Sequence, residues 1–157
     1  MASFPISLYQ GDSRVRHNTM EPSILYTRTL SSVDWEALTA TLQADNFDNG
    51  RTPQQLRRSF ANSYAVCFAW ADGRVIGKAR VLADGVCNAY VVDVWTLSAY
   101  RRRGIATEIV RQLLQDLQGH HVYLQADEDV VDFYYSLGFQ EQPRGLSRLV
   151  GRWLEGA

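Results

Sequence analysis

Cysteine is scarce: Cys67 and Cys87 are the only 2 in 157 residues. Two distant thiols cannot staple a small fold, so a disulfide framework is excluded and stability must come from a packed core. Both fall in strand-like stretches and read as buried, reduced thiols. Charge of one sign is also lacking, since the formal net charge is −1. That excludes a broad polyanion-binding face and removes nucleic acid from the expected partners. No apolar run approaches a membrane span, so no membrane partner is expected. Met1 to Ser23 lacks the apolar centre of a secretory leader, and Asp12 beside Arg14 and Arg16 does not suit a transit peptide. The expected location is the cytoplasm. His120 and His121 open a strand, where neighbours point to opposite faces and do not chelate one ion. No metal is expected.

What is present suits one globular domain. The length supports a single core, and 46% hydrophobic with 21% charged residues is ordinary for such a domain. Residues 1–23 read as an N-terminal extension and 24–157 as the domain. Ile24 to Arg28 reads as a strand. Ser31 is placed to cap a helix, with Asp34 as its reciprocal partner and Trp35, Leu38 and Leu42 on one face. Thr52-Pro53-Gln54-Gln55 predicts a second helix with a capping box and proline in its first turn. Tyr64 to Ala71, Val75 to Leu82 and Cys87 to Leu97 then form an antiparallel meander, with turn signals at Asp72-Gly73 and Asp84-Gly85.

A helix over 104–118 follows, with Ile105, Ile109, Val110, Leu113, Leu114 and Leu117 inward and Gly119 as its αL terminator. Val122 to Ala126 is the next strand, Asp129 to Ser136 a short helix, and Phe139 to Gln142 and Leu146 to Trp153 the closing strands. The order β-α-α-β-β-β-α-β-α-β-β predicts an α/β domain with a mixed, mostly antiparallel sheet flanked by helices.

The most informative stretch is 91–106, where an apolar strand enters the basic turn Arg101-Arg102-Arg103-Gly104 and a helix begins. The first amides of a helix lack internal partners, and that end of the dipole is positive. Phosphate binds there on backbone donors. Gly104 and Ala106 leave room for close approach. The spacing fits neither the Gly-Lys-Ser/Thr pattern nor the three-glycine dinucleotide fingerprint. By itself the turn reads either as an anion site or as a solvated basic turn.

Arg101-Arg102-Arg103-Gly104-Ile105-Ala106 resembles the Arg/Gln-x-x-Gly-x-Gly/Ala signature of the GCN5-related N-acetyltransferases, and Tyr100 before it is also typical. Phe133-Tyr134-Tyr135-Ser136-Leu137-Gly138-Phe139 resembles that family's Phe-Tyr-x-x-Leu-Gly-Phe segment. The resemblance covers about residues 24 to 152 and implies the acyl-CoA N-acyltransferase fold. Its cleft would open between the strands at Cys87 to Leu97 and Val122 to Ala126. The implied reaction moves an acetyl group from acetyl-CoA to a primary amine by direct attack in a ternary complex. A non-catalytic acyl-CoA-binding sensor or interaction protein on the same fold is the alternative.

By position, the resemblance implies that the backbone of Arg102 to Ala106, including Gly104 and Ile105, holds the pyrophosphate. Arg101, Arg102 and Arg103 add charge, and Thr107 contacts a phosphate oxygen. Val94, Trp95 and Thr96 would pair with the pantetheine arm through main-chain groups, and the N–H of Val94 or Trp95 would serve as oxyanion donor. Thr96 departs from the usual valine. Asp127 stands where the family often has an asparagine contacting the cofactor arm. Tyr134 is the implied general acid, with an aromatic cluster as the competing role. Asp93 is the candidate base or a substrate anchor, and Asp84 is a second candidate base.

The acceptor, a small molecule or peptide amine, would be read by the segment 46–51 with Trp35, Phe60 and Tyr64 nearby. Asp45 and Asp48 there favour a cationic amine. Leu146, Leu149, Trp153 and Leu154 form either a homodimer surface or part of the core.

Overall fold

The computed structural model describes residues 23–150 and 154. The elements are β1 (Leu25–Thr27), α1 (Trp35–Ala44), α2 (Pro53–Ala61), β2 (Ala65–Ala71), β3 (Arg74–Ala83), β4 (Asn88–Thr96), α3 (Ile105–Gln115), β5 (His121–Tyr123) and α4 (Val131–Ser136). Short 3-10 turns at Ser98–Tyr100 and Glu128–Val130 precede α3 and α4. The strands form one five-stranded sheet in sequence order. Pairing is antiparallel from β1 to β4, and β5 runs parallel to β4.

Local chemistry accounts for most junctions. Asp72 and Gly73 join Ala71 to Arg74 with φ of 50° and 75°, the left-handed pair that a two-residue hairpin turn requires. The Thr52 hydroxyl accepts from Gln55 N–H at 3.2 Å, and the Gln55 side chain accepts from Thr52 N–H at 2.8 Å, closing the expected capping box. At α1 the cap is one turn later than expected. Asp34, not Ser31, accepts from Ala37 N–H at 3.0 Å, while Ser31 Oγ lies 3.2 Å from Thr29 Oγ1. A carboxylate adjoining the first helical residue outcompetes a hydroxyl set back in the turn.

The sheet buries apolar side chains on both faces. Leu38, Leu42, Leu56 and Phe60 of α1 and α2 pack on Phe68, Val75 and Trp95. Ile105, Ile109 and Leu113 of α3 pack on Cys67, Ala69, Ile76, Ala79 and Val91. Gly77 sets how closely α3 approaches, because a Cβ there would lie 3.0 Å from both Ile105 Cγ2 and Ile109 Cδ1. Arg28 ties β1 to the far end of α3. It donates to Val66 O at 2.9 Å and Gln112 O at 3.1 Å and pairs with Asp116.

The expected closing strands do not form among the described residues. Residues 139–150 carry no strand, and Leu146, Leu149 and Val150 are exposed. Phe139 is the one apolar residue of 139–142, so that stretch has little to bury in a sheet, and after the turn at Pro143 to Gly145, with Arg144 at φ 73°, residues 146–150 pair with no strand. Leu146 and Leu149 therefore do not join the core. Leu154 comes to 3.7 Å from a Cβ position on Gly50. Trp153, like the extension at 1–22, lies outside the described residues. Cys67 is buried as expected, but Cys87 is exposed, because it sits in the loop before β4.

Candidate active site

β4 and β5 pair only at Asn88–His121, Ala89–Val122 and Tyr90–Tyr123. Beyond Tyr123 the chain leaves the sheet. The edge of β4 from Val91 to Thr96 then has no strand partner on that side among the described residues. This parting lies where the sequence resemblance puts the cleft. A bulge further shapes β4. Lys78 pairs with Trp95 and Arg80 with Val92, so Asp93 and Val94 both face the single residue Ala79. Asp93 takes φ 60° to make the bulge. Val94 packs toward the α3 side, the Trp95 side chain is buried on the α1/α2 side, and Leu97 touches both cores. The Thr96 hydroxyl is buried with no hydrogen-bond partner.

The open edge leads directly into the start of α3. Gly104 is its N-cap at φ 75°, offers no side-chain cap, and its carbonyl receives the first helical bond from Glu108 N–H at 3.0 Å. The amides at Ile105, Ala106 and Thr107 are thus the free donors of a helix start. Arg102 and Arg103 are exposed beside them, and Arg103 lies 5.1 Å over the Tyr100 ring. Arg101 is partly committed, donating to Thr96 O at 3.2 Å and lying 3.6 Å from Asp45. Free backbone donors along a strand edge, an orphan hydroxyl, and a cationic helix start suit a ligand with an amide-bearing arm ending in phosphates.

Asp93 and Asp45 are not the open carboxylates that the sequence suggests. Asp93 accepts from Arg51 at 2.6 and 3.0 Å and from Arg80 Nε at 2.5 Å, with Lys78 Nζ at 3.9 Å. Burial works to raise its pKa. Lys78 and the two guanidiniums outweigh burial and hold it well below the usual carboxylate range. Such a carboxylate has little basicity for an amine proton.

Asp45 ends α1, receives Trp95 Nε1 at 2.9 Å and Ser98 N–H at 3.1 Å, and is nearly buried. It therefore fastens α1 to the turn before α3. Asp48 accepts from Gly50 N–H at 3.1 Å. Asp84 accepts amide bonds from Val86, Cys87 and Asn88, which lower its pKa and make it a turn former.

Lys78 was not among the sequence candidates. A lysine alternating with apolar residues in β3 reads as solvent-facing, yet it is fully buried. Its ammonium donates to Asp93 O at 3.3 Å and lies 5.2 Å from the Phe47 ring centre and 5.4 Å from that of Phe60. Burial lowers its pKa to about 8, Asp93 opposes this, and Arg51 and Arg80 add to it. The available signal was that β3 lies between two helical layers, so neither of its faces meets solvent.

Tyr134 is buried in α4, edge-on to Phe133 and Phe139 with centroids at 4.9 and 5.9 Å. Burial raises its pKa, and the charge of Asp127 adds to this, so the phenol keeps its proton. With Tyr90, Leu124 and Ala126 it lines a cavity of about 590 Å³ on the β5 side of the parting. Asp127 is exposed at the start of the turn into α4.

Residues 28–139 match the Acetyltransferase (GNAT) family, and the chain belongs to that family. An uncharacterized N-acetyltransferase ycf52-like protein of Prochlorococcus marinus is 30% identical over 125 residues, covering 75% of this chain and 67% of that one. Histone acetyltransferase TAP1 of Glycine max is 34% identical over 76 residues, covering 46% of this chain. That match spans 33% of the soybean protein's length. A putative acetyltransferase structure from Deinococcus radiodurans R1 superposes with TM-score 0.69 at 28% identity, covering 80% of this chain and 87% of that one. No helix among the described residues is long and apolar enough to cross a membrane.

Proposed function

We propose that the protein is an N-acetyltransferase that moves an acetyl group from acetyl-CoA to a primary amine by direct attack in a ternary complex. The observation that carries this reading is the free edge of β4 beyond its parting from β5, followed after one short turn by an uncapped, arginine-flanked helix start. Acetyl-CoA supplies an acetyl group already activated as a thioester.

The protein's own residues do the rest. Main-chain groups of Val94, Trp95 and Thr96 bind the pantetheine arm as an added strand, and the Thr96 hydroxyl gains a partner. Amides of Arg102 to Ala106, with Thr107, bind the pyrophosphate, and Arg101 to Arg103 supply charge. Asp127 flanks the arm near the cavity. The Val94 N–H, set apart by the bulge, serves as oxyanion donor. Tyr134 Oη holds a proton for the leaving sulfur, consistent with its raised pKa. Asp93 acts as an anchor for Arg51, Arg80 and Lys78. The acceptor ammonium loses one proton to bulk water before attack, and the proton the nitrogen sheds after attack restores the Tyr134 phenol that protonated the sulfur.

Calorimetric titration with acetyl-CoA, and with CoA lacking the 3′-phosphate, tests the reading. Saturable binding that Gly104→Glu abolishes is expected. Equal affinity in the variant would move the pyrophosphate site elsewhere. Tyr134→Phe is expected to lower turnover by about 10²- to 10⁴-fold while acetyl-CoA affinity is kept.

A further inference from the structure

The acceptor side of the cleft carries an unbalanced set of buried charges. Arg51 in the α1–α2 connection, and Lys78 and Arg80 on β3, surround one carboxylate, Asp93, in the β4 bulge. Their side chains are 10%, 0%, 14% and 13% exposed, in that order. Among the described residues no other carboxylate forms an ion pair with these three cations. The remaining neighbours carry no charge: Arg51 Nε donates to Asn49 Oδ1 at 2.9 Å, Arg80 Nη1 reaches Ser63 Oγ at 3.4 Å, and the ring faces of Phe47 and Phe60 attract cations without neutralising them. Uncompensated buried charge is costly, and a retained excess of cations is explained by an anion that joins them.

The acidic residues of the same region point the same way. Asp45 is spent on Trp95, Ser98 and Arg101 and is not open to hold a cationic acceptor, while Asp48, which accepts from the Gly50 amide, is exposed and forms no ion pair with the three cations. The bulge residue Asp93 directly precedes Val94, the main-chain group assigned above to the acetyl carbonyl. An anion seated on the cluster would thus hold the rest of its molecule beside the reacting atoms.

Resting on the transferase reading, we propose that the acceptor is a small amine that also bears a carboxylate or phosphate, and that Arg51, Lys78 and Arg80 bind this oxyanion. Each guanidinium has five N–H donors and keeps some beyond those given to Asp93, Asn49 and Ser63, and the ammonium adds a point charge.

Matched acceptor pairs test the assignment by thiol release at saturating acetyl-CoA: an ω-amino carboxylate against its methyl ester, and an aminoalkyl phosphate against its parent amino alcohol. The charged member of at least one pair should show a kcat/KM at least about tenfold higher, the worth of one charge-assisted contact. The preferred pair identifies the oxyanion. Arg51→Gln should erase the preference, with Arg80→Gln as the second variant. Equal or reversed rates in both pairs, with acetyl-CoA still bound, would overturn the anion assignment and leave the transferase reading standing.

A readout without turnover covers the case in which acetyl-CoA itself fails to bind. Glutarate should raise the melting temperature of the wild type and of Arg103→Gln but not of Arg51→Gln, while inorganic phosphate, which the start of α3 also takes, should shift the wild type more than Arg51→Gln. No shift, or a shift lost only in Arg103→Gln, would refute the site independently of catalysis.

Discussion

Lys78 and Asp93 show how far a residue's surroundings can override its type. In the unfolded chain a lysine titrates near 10.4, whereas the buried Lys78 titrates at about 8. Between those values the unfolded state binds the extra proton, so stability contributed by this site rises with pH. Below about 8 both states are protonated and the full penalty is present. Thermal melts from pH 7 to 10 on wild type and Lys78→Met should show this rise only in the wild type; parallel curves would disprove it.

Asp93 has the opposite sign. Its folded pKa is depressed, so its stabilisation is present above the ordinary carboxylate range and is lost as pH falls toward the folded value. Asp93→Asn leaves the cations around it unpaired and is expected to destabilise by about 3 kcal/mol at neutral pH, measured by urea unfolding. Neither behaviour could be read from the sequence. The bulge that turns Asp93 inward, and the loop that brings Arg51 onto it, are long-range arrangements that no local pattern encodes.

At the level of elements, legibility follows the range of the interaction. The Asp72-Gly73 hairpin and the Thr52–Gln55 capping box are fixed by residues within a few positions of each other, and both formed as the sequence implies. Thr52→Ala should therefore cost about 1 kcal/mol, seen as a lower urea midpoint. The α1 cap shifted to Asp34 because several polar residues in 31–34 compete for one helix start. The segment 139–150 was misread because short stretches flanking a turn at Pro143 to Gly145 resemble a hairpin, while 139–142 has only Phe139 to bury and nothing local draws 146–150 onto the sheet. Gly77 is a quieter case. A glycine ordinarily weakens a strand interior, yet here it sets the spacing between α3 and the sheet. Gly77→Ala should overpack that contact and destabilise by about 1–3 kcal/mol, checked by calorimetric melting.

For the whole molecule, the family was legible because two local motifs sit in the right order on one chain. The charged cluster proposed for the acceptor was not, since its residues come from the α1–α2 connection, β3 and β4 and meet only after folding. The proposed cofactor and acceptor sides are nevertheless fastened together. Asp45 closes α1 and, through Trp95, Ser98 and Arg101, braces the turn that opens α3. Occupying the cofactor side should then quiet both. At 100 times its Kd, acetyl-CoA is expected to stabilise the fold by about 2.7 kcal/mol. Hydrogen exchange should slow at Val91 to Thr96 and also across the segment after Asp45; slowing at β4 alone would mean that the brace transmits nothing.

The exposed position of Cys87 has a practical side. The second thiol, Cys67, is sealed inside and pushed up to about 11 by burial, so it resists alkylation in the native state. Cys87 stands just before the nine-residue strand β4, whose other end meets the arginine turn, a span of about 30 Å. The native sequence therefore already offers one addressable point for a dye or spin label, at a ruler's length from the cofactor end. Distance-sensitive spectroscopy could follow occupancy there without any engineered substitution.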